Sequence, residues 1–391
     1  MNRLLIDLEA LHHNVKTVDR WVSAHGASWS MVTKAMCGFP DVLAGLAASG
    51  VRSMADSRLA NLEAIRQLDE PIETWYLRLP HVPALERVVE LADVSLNTEF
   101  AIIEALNVEA KRQGKIHRIV IMIELGDLRE GVLPGSLVPL YERIFDLENI
   151  EVLGIGSNLG CLSGAIPSLE QFSQLAMFHE LLRLKFNRPL PLISGGTSAV
   201  IPMLRDGMLP RAINHFRVGE SVFLGTDLVN GDWLAGLRND VITLDVEVVE
   251  VKEKALSPVG ETTDMTPFEE FQDNSYDPGA RGHRAVITVG QLDTDMQGLT
   301  PLNENYTVVG ASSDLAVVNV GENAEDLRPG SVIRFRPAYG ALVRLMLGKY
   351  IDKYVTPSVE EFQRMVERTT TVDVPPVLDD LDLRSENTAE E

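Results

Sequence analysis

The sequence predicts an α/β protein built from a (β/α)8, TIM-like barrel followed by a C-terminal antiparallel β-domain. Three observations predict it. Strand-like and helix-like runs alternate with regular spacing through the first 235 residues, which is the signature of parallel strands joined by helical crossovers. Beyond that point the texture changes to short β-branched runs separated by Gly, Asp and Asn. The chain has 391 residues, 45% of them hydrophobic, enough for a barrel of about 250 residues and a second, smaller unit. We therefore expect a barrel over 8–235, a β-domain over 236–371 that also takes in the N-terminal strand 1–7, and an acidic tail over 372–391.

Leu4-Leu5-Ile6-Asp7 reads as a short strand. Leu8, Leu11, Val15, Val18 and Val22 then recur at helical spacing, and the helix they predict stops near Gly26. Barrel strands follow at 30–33, 51–54, 74–79, 93–96, 118–124, 151–155, 190–193 and 213–217. Helices near 41–49, 57–68, 82–91, 99–113, 136–147, 168–186 and 197–204 lie between them. An open doubly wound sheet would use the same alternation, but eight regular strands favour closure. In the second half, strands are expected at 241–251, 285–289, 306–309, 315–320 and 332–335, with no long helix between them. The segment 257–284, rich in Pro, Gly, Asp and Glu, reads as a long loop of the kind that carries function.

A net charge of −22 argues against a nucleic-acid surface, which needs a basic face. No apolar run is long enough for a bilayer, and no basic-then-apolar leader opens the chain. Cys37 and Cys161 are too few for a disulfide framework and fit no zinc spacing. His12, His13 and His215 likewise show no ligand spacing and read as structural, so no metal is expected. A cytoplasmic protein working on a small molecule is the plain expectation.

Reactive groups in such a barrel collect at the carboxyl ends of the strands. Ser30-Met31-Val32-Thr33-Lys34-Ala35-Met36-Cys37-Gly38 places one amine there, at the end of the first barrel strand. A desolvated lysine can stay neutral and join covalently to a carbonyl or to pyridoxal phosphate; otherwise it caps a strand and reaches for water. Ser194-Gly195-Gly196-Thr197-Ser198 has the composition of a phosphate cradle at a helix start, or of an ordinary N-cap. Arg129 after the fifth strand and Arg217 at the end of the eighth could each be rim arginines paired with Glu130 and Glu220. Alternatively Arg129 meets a substrate carboxylate and Arg217 a ring nitrogen. Asn158 follows the sixth strand. An anion cradle and a lysine at one barrel mouth are what a pyridoxal 5'-phosphate enzyme needs.

These segments resemble the alanine racemase-like family of fold-type III pyridoxal phosphate enzymes, and within it the ornithine racemase branch. The resemblance covers about residues 3 to 355. Val32-Thr33-Lys34-Ala35-Met36-Cys37-Gly38 is similar to the family's cofactor-lysine motif, and Ala55-Asp56-Ser57-Arg58 to the branch's second strand end. Gly126-Asp127-Leu128-Arg129-Glu130-Gly131 stands in the place of its carboxylate-binding arginine. Gly195-Gly196-Thr197-Ser198-Ala199 resembles the phosphate loop, and Arg217-Val218-Gly219-Glu220 the strand facing the pyridine nitrogen. Gly290-Gln291-Leu292-Asp293 and Gly310-Ala311-Ser312-Ser313-Asp314 resemble the two turns that reach into a neighbouring subunit.

The resemblance implies a homodimeric amino-acid racemase that moves the Cα proton with two bases. It assigns cofactor contacts to Lys34, Asn158, Ser194, Thr197, Ser198, Arg217, Gly219, Glu220 and Tyr350, with Tyr354 as an alternative hydroxyl. Lys34 and Arg129 become catalytic. Three departures stand out. Gln291 occupies the position of the family's catalytic tyrosine, so Asp293 or Ser313 is expected to act on the opposite face. Asn158 stands where many relatives have a histidine, and the 257–284 loop is longer than in plain alanine racemases. Asp314, with Asp293 and Asp295 nearby, would meet the distal ammonium of ornithine or lysine; turn-forming aspartates are the alternative reading. An alanine racemase, a decarboxylase on the same scaffold, or a cofactor-binding protein without turnover are the competing functions.

Overall fold

Strand β1 (Arg3–Asp7) ends in a residue that starts the next element. The Asp7 carboxylate accepts the Ala10 N–H at 2.8 Å and caps helix α1 (Leu8–His25), and Gly26 at φ +77° closes it. Leu8, Leu11, Val15, Val18 and Val22 are all buried, as their spacing predicts. This is a computed structural model, and it describes residues 2–160, 162–257, 260–261 and 279–372.

Eight strand–helix steps follow: β2 (Ser28–Val32), α2 (Pro40–Ala48), β3 (Ser53–Asp56), α3 (Leu59–Ile65), β4 (Glu73–Tyr76), α4 (Leu85–Leu91), β5 (Val94–Asn97) and α5 (Phe100–Arg112). Next come β6 (His117–Met122), α6 (Leu137–Ile144), β7 (Ile150–Gly156), α7 (Leu169–Phe186), β8 (Leu192–Ser194), α8 (Ile201–Arg205), β9 (His215–Val218) and α9 (Glu220–Leu224). Strands β2 to β9 form a closed barrel in chain order, each parallel to its neighbour, with β9 returning to β2. Each barrel strand overlaps its expected segment. Helix α9 went unread, since five residues give too little periodicity to detect.

The apolar residues shared between strands and helices make the main core. A second cluster (Val32, Ala55, Trp75, Val94, Leu96, Val120 and Met122) belongs to the inward-facing side chains of the barrel. Beside it the interior is polar, with Ser30, Ser194, His215 and Arg217 buried there. A barrel of eight strands is filled by side chains rather than water, so its polar interior groups must satisfy one another.

The second sheet contains β10 (Ile242–Ala255), β11 (Arg281–Ile287), β12 (Leu299–Pro301), β13 (Thr307–Ala311), β14 (Ala316–Asn319) and β15 (Val332–Pro337) in the order β12-β15-β10-β11-β14-β13. These pairs are antiparallel, as expected. After β15 come α10 (Tyr339–Leu347), β16 (Asp352–Thr356) and α11 (Val359–Val372). Strand β1 joins this sheet beside β10 and pairs in parallel with β16.

Three expectations need correction. The parallel β1–β16 pair departs from a purely antiparallel domain, because the chain crosses over through α10 before laying down β16. Helices α10 and α11 were not expected; α11 packs its apolar face against α2, with Phe362 buried. The long loop is shorter than 257–284, because Arg281, Gly282, His283 and Arg284 pair with Ala255, Lys254, Glu253 and Lys252. Cys161, residues 258–259 and 262–278 of that loop, and the acidic run 373–391 lie outside the described residues. Among the described residues no helix is long and apolar enough to cross a membrane.

Candidate active site at the barrel mouth

The carboxyl ends of the barrel strands surround a cavity of about 620 Å³, within the range usual for small-molecule sites. Lys34, Arg78, Arg129 and Arg217 line it against only two carboxylates, Glu130 and Glu220. That local excess of positive charge sits in a chain of net charge −22. Val32, Leu77, Leu96 and Phe223 supply apolar wall. A cavity of this kind suits a flat, partly apolar ligand carrying negative charge.

Lys34 opens a single 3-10 turn over Lys34–Met36 directly after β2. The turn is pinned from the neighbouring strand. Thr33 donates its N–H to Ala55 O at 2.9 Å and its hydroxyl to Asp56 at 2.9 Å. Asp56 is fully buried and also accepts from the Arg58 N–H and the Asn61 amide. Burial pushes the Asp56 carboxyl up, and these hydrogen bonds pull it back toward the ionised form. Across the cavity, burial pushes the Glu220 carboxyl up, while Lys34 opposes that shift through its charge.

The two arginines are held differently. Arg129 is paired with Glu130, its Nη2 donating to Oε1 at 2.6 Å. The rim-pair reading of Arg129 is thus present in the structure, together with its place on the cavity. Arg217 is 2% exposed and donates to Ser157 O at 2.9 Å, to Asn158 Oδ1 at 2.7 Å and to the Ser194 hydroxyl. Asn158 in turn donates its amide to Glu130. The four side chains Arg217, Asn158, Glu130 and Arg129 therefore form one connected file around the mouth.

Thr197 and Ser198 line the cavity after β8, and Ser198 Oγ accepts the Gly219 and Ser221 N–H groups at 3.2 Å each. Thr197 makes no side-chain cap bond at the start of the 3-10 turn Ser198–Val200, so the simple N-cap reading does not hold. The glycines serve packing as well as any ligand. A Cβ at Gly195 would run into Ile213, and one at Gly196, where φ is +128°, would lie 2.7 Å from Val200. The Gly195 N–H is already spent on His215 O at 2.9 Å.

Lys34, Arg129, Asn158, Thr197, Ser198, Arg217, Gly219 and Glu220 thus meet at one cavity. Ser194 does not line it. Its hydroxyl faces the barrel interior, between Arg217 and His215. Tyr350 is 75% exposed, with the Lys349 ammonium over its ring, and Tyr354 sits on β16 at 45% exposure. The tyrosine at the cavity is Tyr339, which the sequence reading missed. It begins α10 immediately after β15, and α10 packs against the Lys34 turn. A hydroxyl at a strand-to-helix junction was the signal available. Arg78 was also missed.

Asp293, Ser313 and Asp314 do not reach the cavity of their own chain. They lie on two turns of the second sheet, where Gln291 and Leu292 donate their N–H groups to Ser312 O and Ser313 O, each at 3.0 Å. Asp293 accepts the Gly290 N–H, and Asp314 accepts the Ser313 hydroxyl. The histidines do not converge either. His12 packs edge-on to Phe362, His13 bonds Gly236 O, and His215 lies inside the barrel.

Residues 6–227 match the family described as alanine racemase, N-terminal domain. The chain is 37% identical to an ornithine racemase of Acetoanaerobium sticklandii over 354 residues, covering 90% of this chain and 98% of the relative. It is 31% identical to a lysine racemase of Thermotoga maritima over 357 residues, covering 91% and 99%. Among solved structures, an alanine racemase from Streptomyces coelicolor superposes with a TM-score of 0.70 at 17% identity, covering 91% of this chain and 98% of that one. An alanine racemase from Bartonella henselae with covalently bound pyridoxal phosphate gives 0.69 at 19% identity, covering 90% and 99%.

Proposed function

Because the chain belongs to the alanine racemase family, we propose that it is a pyridoxal 5'-phosphate-dependent racemase, an isomerase acting on a basic amino acid such as ornithine or lysine. One observation carries the reading: Lys34, Thr197, Ser198 and the buried Arg217, drawn from three different strand ends, face one cation-rich cavity. The similarity to an ornithine racemase and to a lysine racemase favours a diamino acid over alanine.

The donor set fits the cofactor. Lys34 would hold it covalently, and the hydroxyls of Thr197, Ser198 and Tyr339 with the Gly219 loop would hold the phosphate. Leu96 and Phe223 would flank the ring, and Arg217 would meet its nitrogen. When bound, pyridoxal phosphate supplies the electron sink that makes a Cα proton removable. A guanidinium does not give up its proton, so Arg217 offers that nitrogen a hydrogen bond and a fixed charge. Ser157, Asn158 and Ser194 fix the guanidinium of Arg217 where it lines the cavity. Arg129 would turn its two-pronged face from Glu130 to the substrate carboxylate. The Lys34 amine would take or return the Cα proton on one face.

Gln291 cannot act as the second base, since an amide does not titrate. We assign the opposite face to Asp293 or Ser313 and the distal ammonium to Asp314. These residues do not reach the cavity of their own chain, so they would arrive from a second copy in a cytoplasmic homodimer. Exposed apolar side chains accompany both halves of that contact: Leu128, Leu162 and Ile166 on the mouth loops, and Leu292 and Leu315 on the sheet turns.

The test is to incubate the purified protein with L-ornithine, L-lysine and L-alanine in deuterium oxide with pyridoxal phosphate. Loss of optical rotation with one deuterium entering Cα supports racemisation. Carbon dioxide release would make it a decarboxylase. A yellow protein that exchanges no Cα proton with any amino acid would make it a cofactor carrier. Borohydride reduction followed by peptide mass analysis should place the cofactor on Lys34.

A further inference from the structure

Arg217 is tied to the far end of the barrel by a file of buried polar side chains. Its Nη1 donates to Ser194 Oγ. Ser194 Oγ meets His215 Nδ1 at 2.9 Å, and His215 Nε2 meets Ser30 Oγ at 3.1 Å. Ser30 Oγ meets Ser53 Oγ at 2.8 Å, and Ser53 donates to Glu73 Oε2 at 3.3 Å. Glu73 opens β4 and pairs with Arg118 at 3.0 Å. The His215 ring is stacked on Trp75, with centroids 4.5 Å apart and planes within 10°. None of these groups beyond Arg217 lines the cavity.

The ends of the file fix its direction. A carboxylate only accepts, so the single Ser53 proton goes to Glu73. Ser53 must then accept from Ser30, which leaves Ser30 no proton for the imidazole. His215 therefore donates from Nε2. Burial, helped by the charge of Arg217, holds this histidine well below its ordinary range, at about 3, so it is neutral and Nδ1 is bare. The Ser194 proton must point at Nδ1, and both Ser194 lone pairs are left for Arg217. The opposite imidazole tautomer would turn the Ser194 hydroxyl proton away from Nδ1 and toward the guanidinium.

We propose that His215 is a positioning residue of the active site: held as the Nε2–H imidazole between Ser30 and Ser194, it orients the Ser194 hydroxyl and so aims Arg217 into the cavity. Arg217 Nη1 also reaches Ser194 O at 3.4 Å, and its second nitrogen is fastened by Ser157 and Asn158. Losing the Ser194 hydroxyl removes the shorter of the two Nη1 bonds to Ser194 and loosens the aim of the guanidinium. The inference rests on reading the cavity as the pyridoxal phosphate site, and it extends that reading to residues that touch neither cofactor nor substrate.

The test has two arms. In the cofactor-free protein, nitrogen-15 spectra of His215 should show the neutral Nε2–H form, unchanged between pH 5 and 8 by direct reading of the ring nitrogens. A cation or the Nδ1–H form would overturn the proposal. In the second arm, pyridoxal phosphate is titrated into the full-length protein and the dissociation constant and visible absorption band are recorded.

Ser194→Ala and His215→Leu should each weaken cofactor binding about tenfold and shift the band, on the scale of a lost hydrogen bond to a charged group. The double variant should be no worse than either single one. His215→Gln, which can accept from Ser194 and donate to Ser30, should restore binding to near that of the unaltered protein. Thermal melts of Ser194→Ala, which removes one oxygen, separate loss of aim from loss of fold. Unchanged binding in Ser194→Ala, or additive losses, would overturn the role of His215 alone. Absence of cofactor uptake by the unaltered protein would overturn the cavity assignment, and this role with it.

Discussion

The barrel mouth and the turns of the second sheet are built on opposite plans. At the mouth, polar groups from several strand ends are buried and bonded to one another: Thr33 to Asp56, Arg217 to Asn158, Asn158 to Glu130. The turns at 290–293 and 312–315 face outward. They hold each other through two N–H bonds, a Cβ at Gly290 would collide with Ser313 O, and Leu292 is 74% exposed. Their shape is as specified as that of the mouth, yet they do not line the cavity of their own chain. The contrast teaches that rigidity and completeness are separate properties. The mouth gathers its groups within one chain, whereas the turns are equally fixed in shape yet stand apart from the cavity of their own chain.

Removing Lys34 tests the half that one chain completes, and it should have the largest effect. Lys34→Ala is expected to lower racemisation by about a thousandfold or more, the scale of losing a catalytic base, measured by deuterium incorporation at Cα. If the turns were instead the principal site, this variant would retain most of its activity. Leu292→Asp addresses the other half. A charge at an apolar interface position should weaken self-association about thirtyfold, as loss of one interface anchor does. Sedimentation at graded concentrations should show activity falling with the dimer fraction. A monomer with full activity on dilution would end the comparison. Asp314→Asn should act more narrowly, raising KM for L-ornithine about tenfold through one lost charge pair while leaving any turnover of L-alanine unchanged.

The same contrast explains how much could be read from the sequence. The barrel was legible because each strand and helix carries its own periodicity, and a parallel strand order follows chain order. Its mouth was legible for a related reason: Lys34, Asn158, Thr197 and Arg217 each sit at a strand end, so the fold alone brings them together. What stayed hidden depends on contacts far apart in sequence. Tyr339 reaches the cavity only because α10 packs on the Lys34 turn, and no pattern near residue 339 reports that packing. Ser194 looked like a phosphate ligand, but β-strand alternation turns it inward, where it meets His215 of the adjacent strand and the back of Arg217 instead of lining the cavity. Strand β16 went unread because it finds its partner, β1, at the other end of the chain.

A milder perturbation separates the mouth's own stability from its chemistry. Asp56 accepts three hydrogen bonds with no exposure to water. Replacing it by alanine strands the Thr33 hydroxyl, the Arg58 N–H and the Asn61 amide, at a cost of about 3 kcal/mol. Urea denaturation should show that loss, and because Thr33 precedes Lys34, residual activity should fall by more than the unfolded fraction explains. An equal loss in both would mean that Asp56 supports the barrel without holding the lysine turn.

The smallest effect concerns acid. His117 begins β6 with its Nε2 2.8 Å from the Ser95 hydroxyl, and burial holds it down at about 4. In the unfolded chain it titrates near 6.5. Between these two values the unfolded chain binds a proton that the folded barrel refuses, so stability falls as pH falls. The contribution amounts to about 1.4 kcal/mol per pH unit per histidine once pH is below 6.5, and it levels off below about 4. Carboxylates titrate over the lower part of this window too, so the reading is the difference between His117→Asn and the unaltered chain. The variant starts less stable at pH 7, having lost the Ser95 contact, and should close that gap by about 1.4 kcal/mol between pH 6 and 5 in urea titrations. A constant gap would mean that His117 is protonated in the fold. The layer between strands and helices would then be wet enough to carry charge, and the distinction between a dry, self-satisfied barrel wall and the solvent-facing turns would no longer hold.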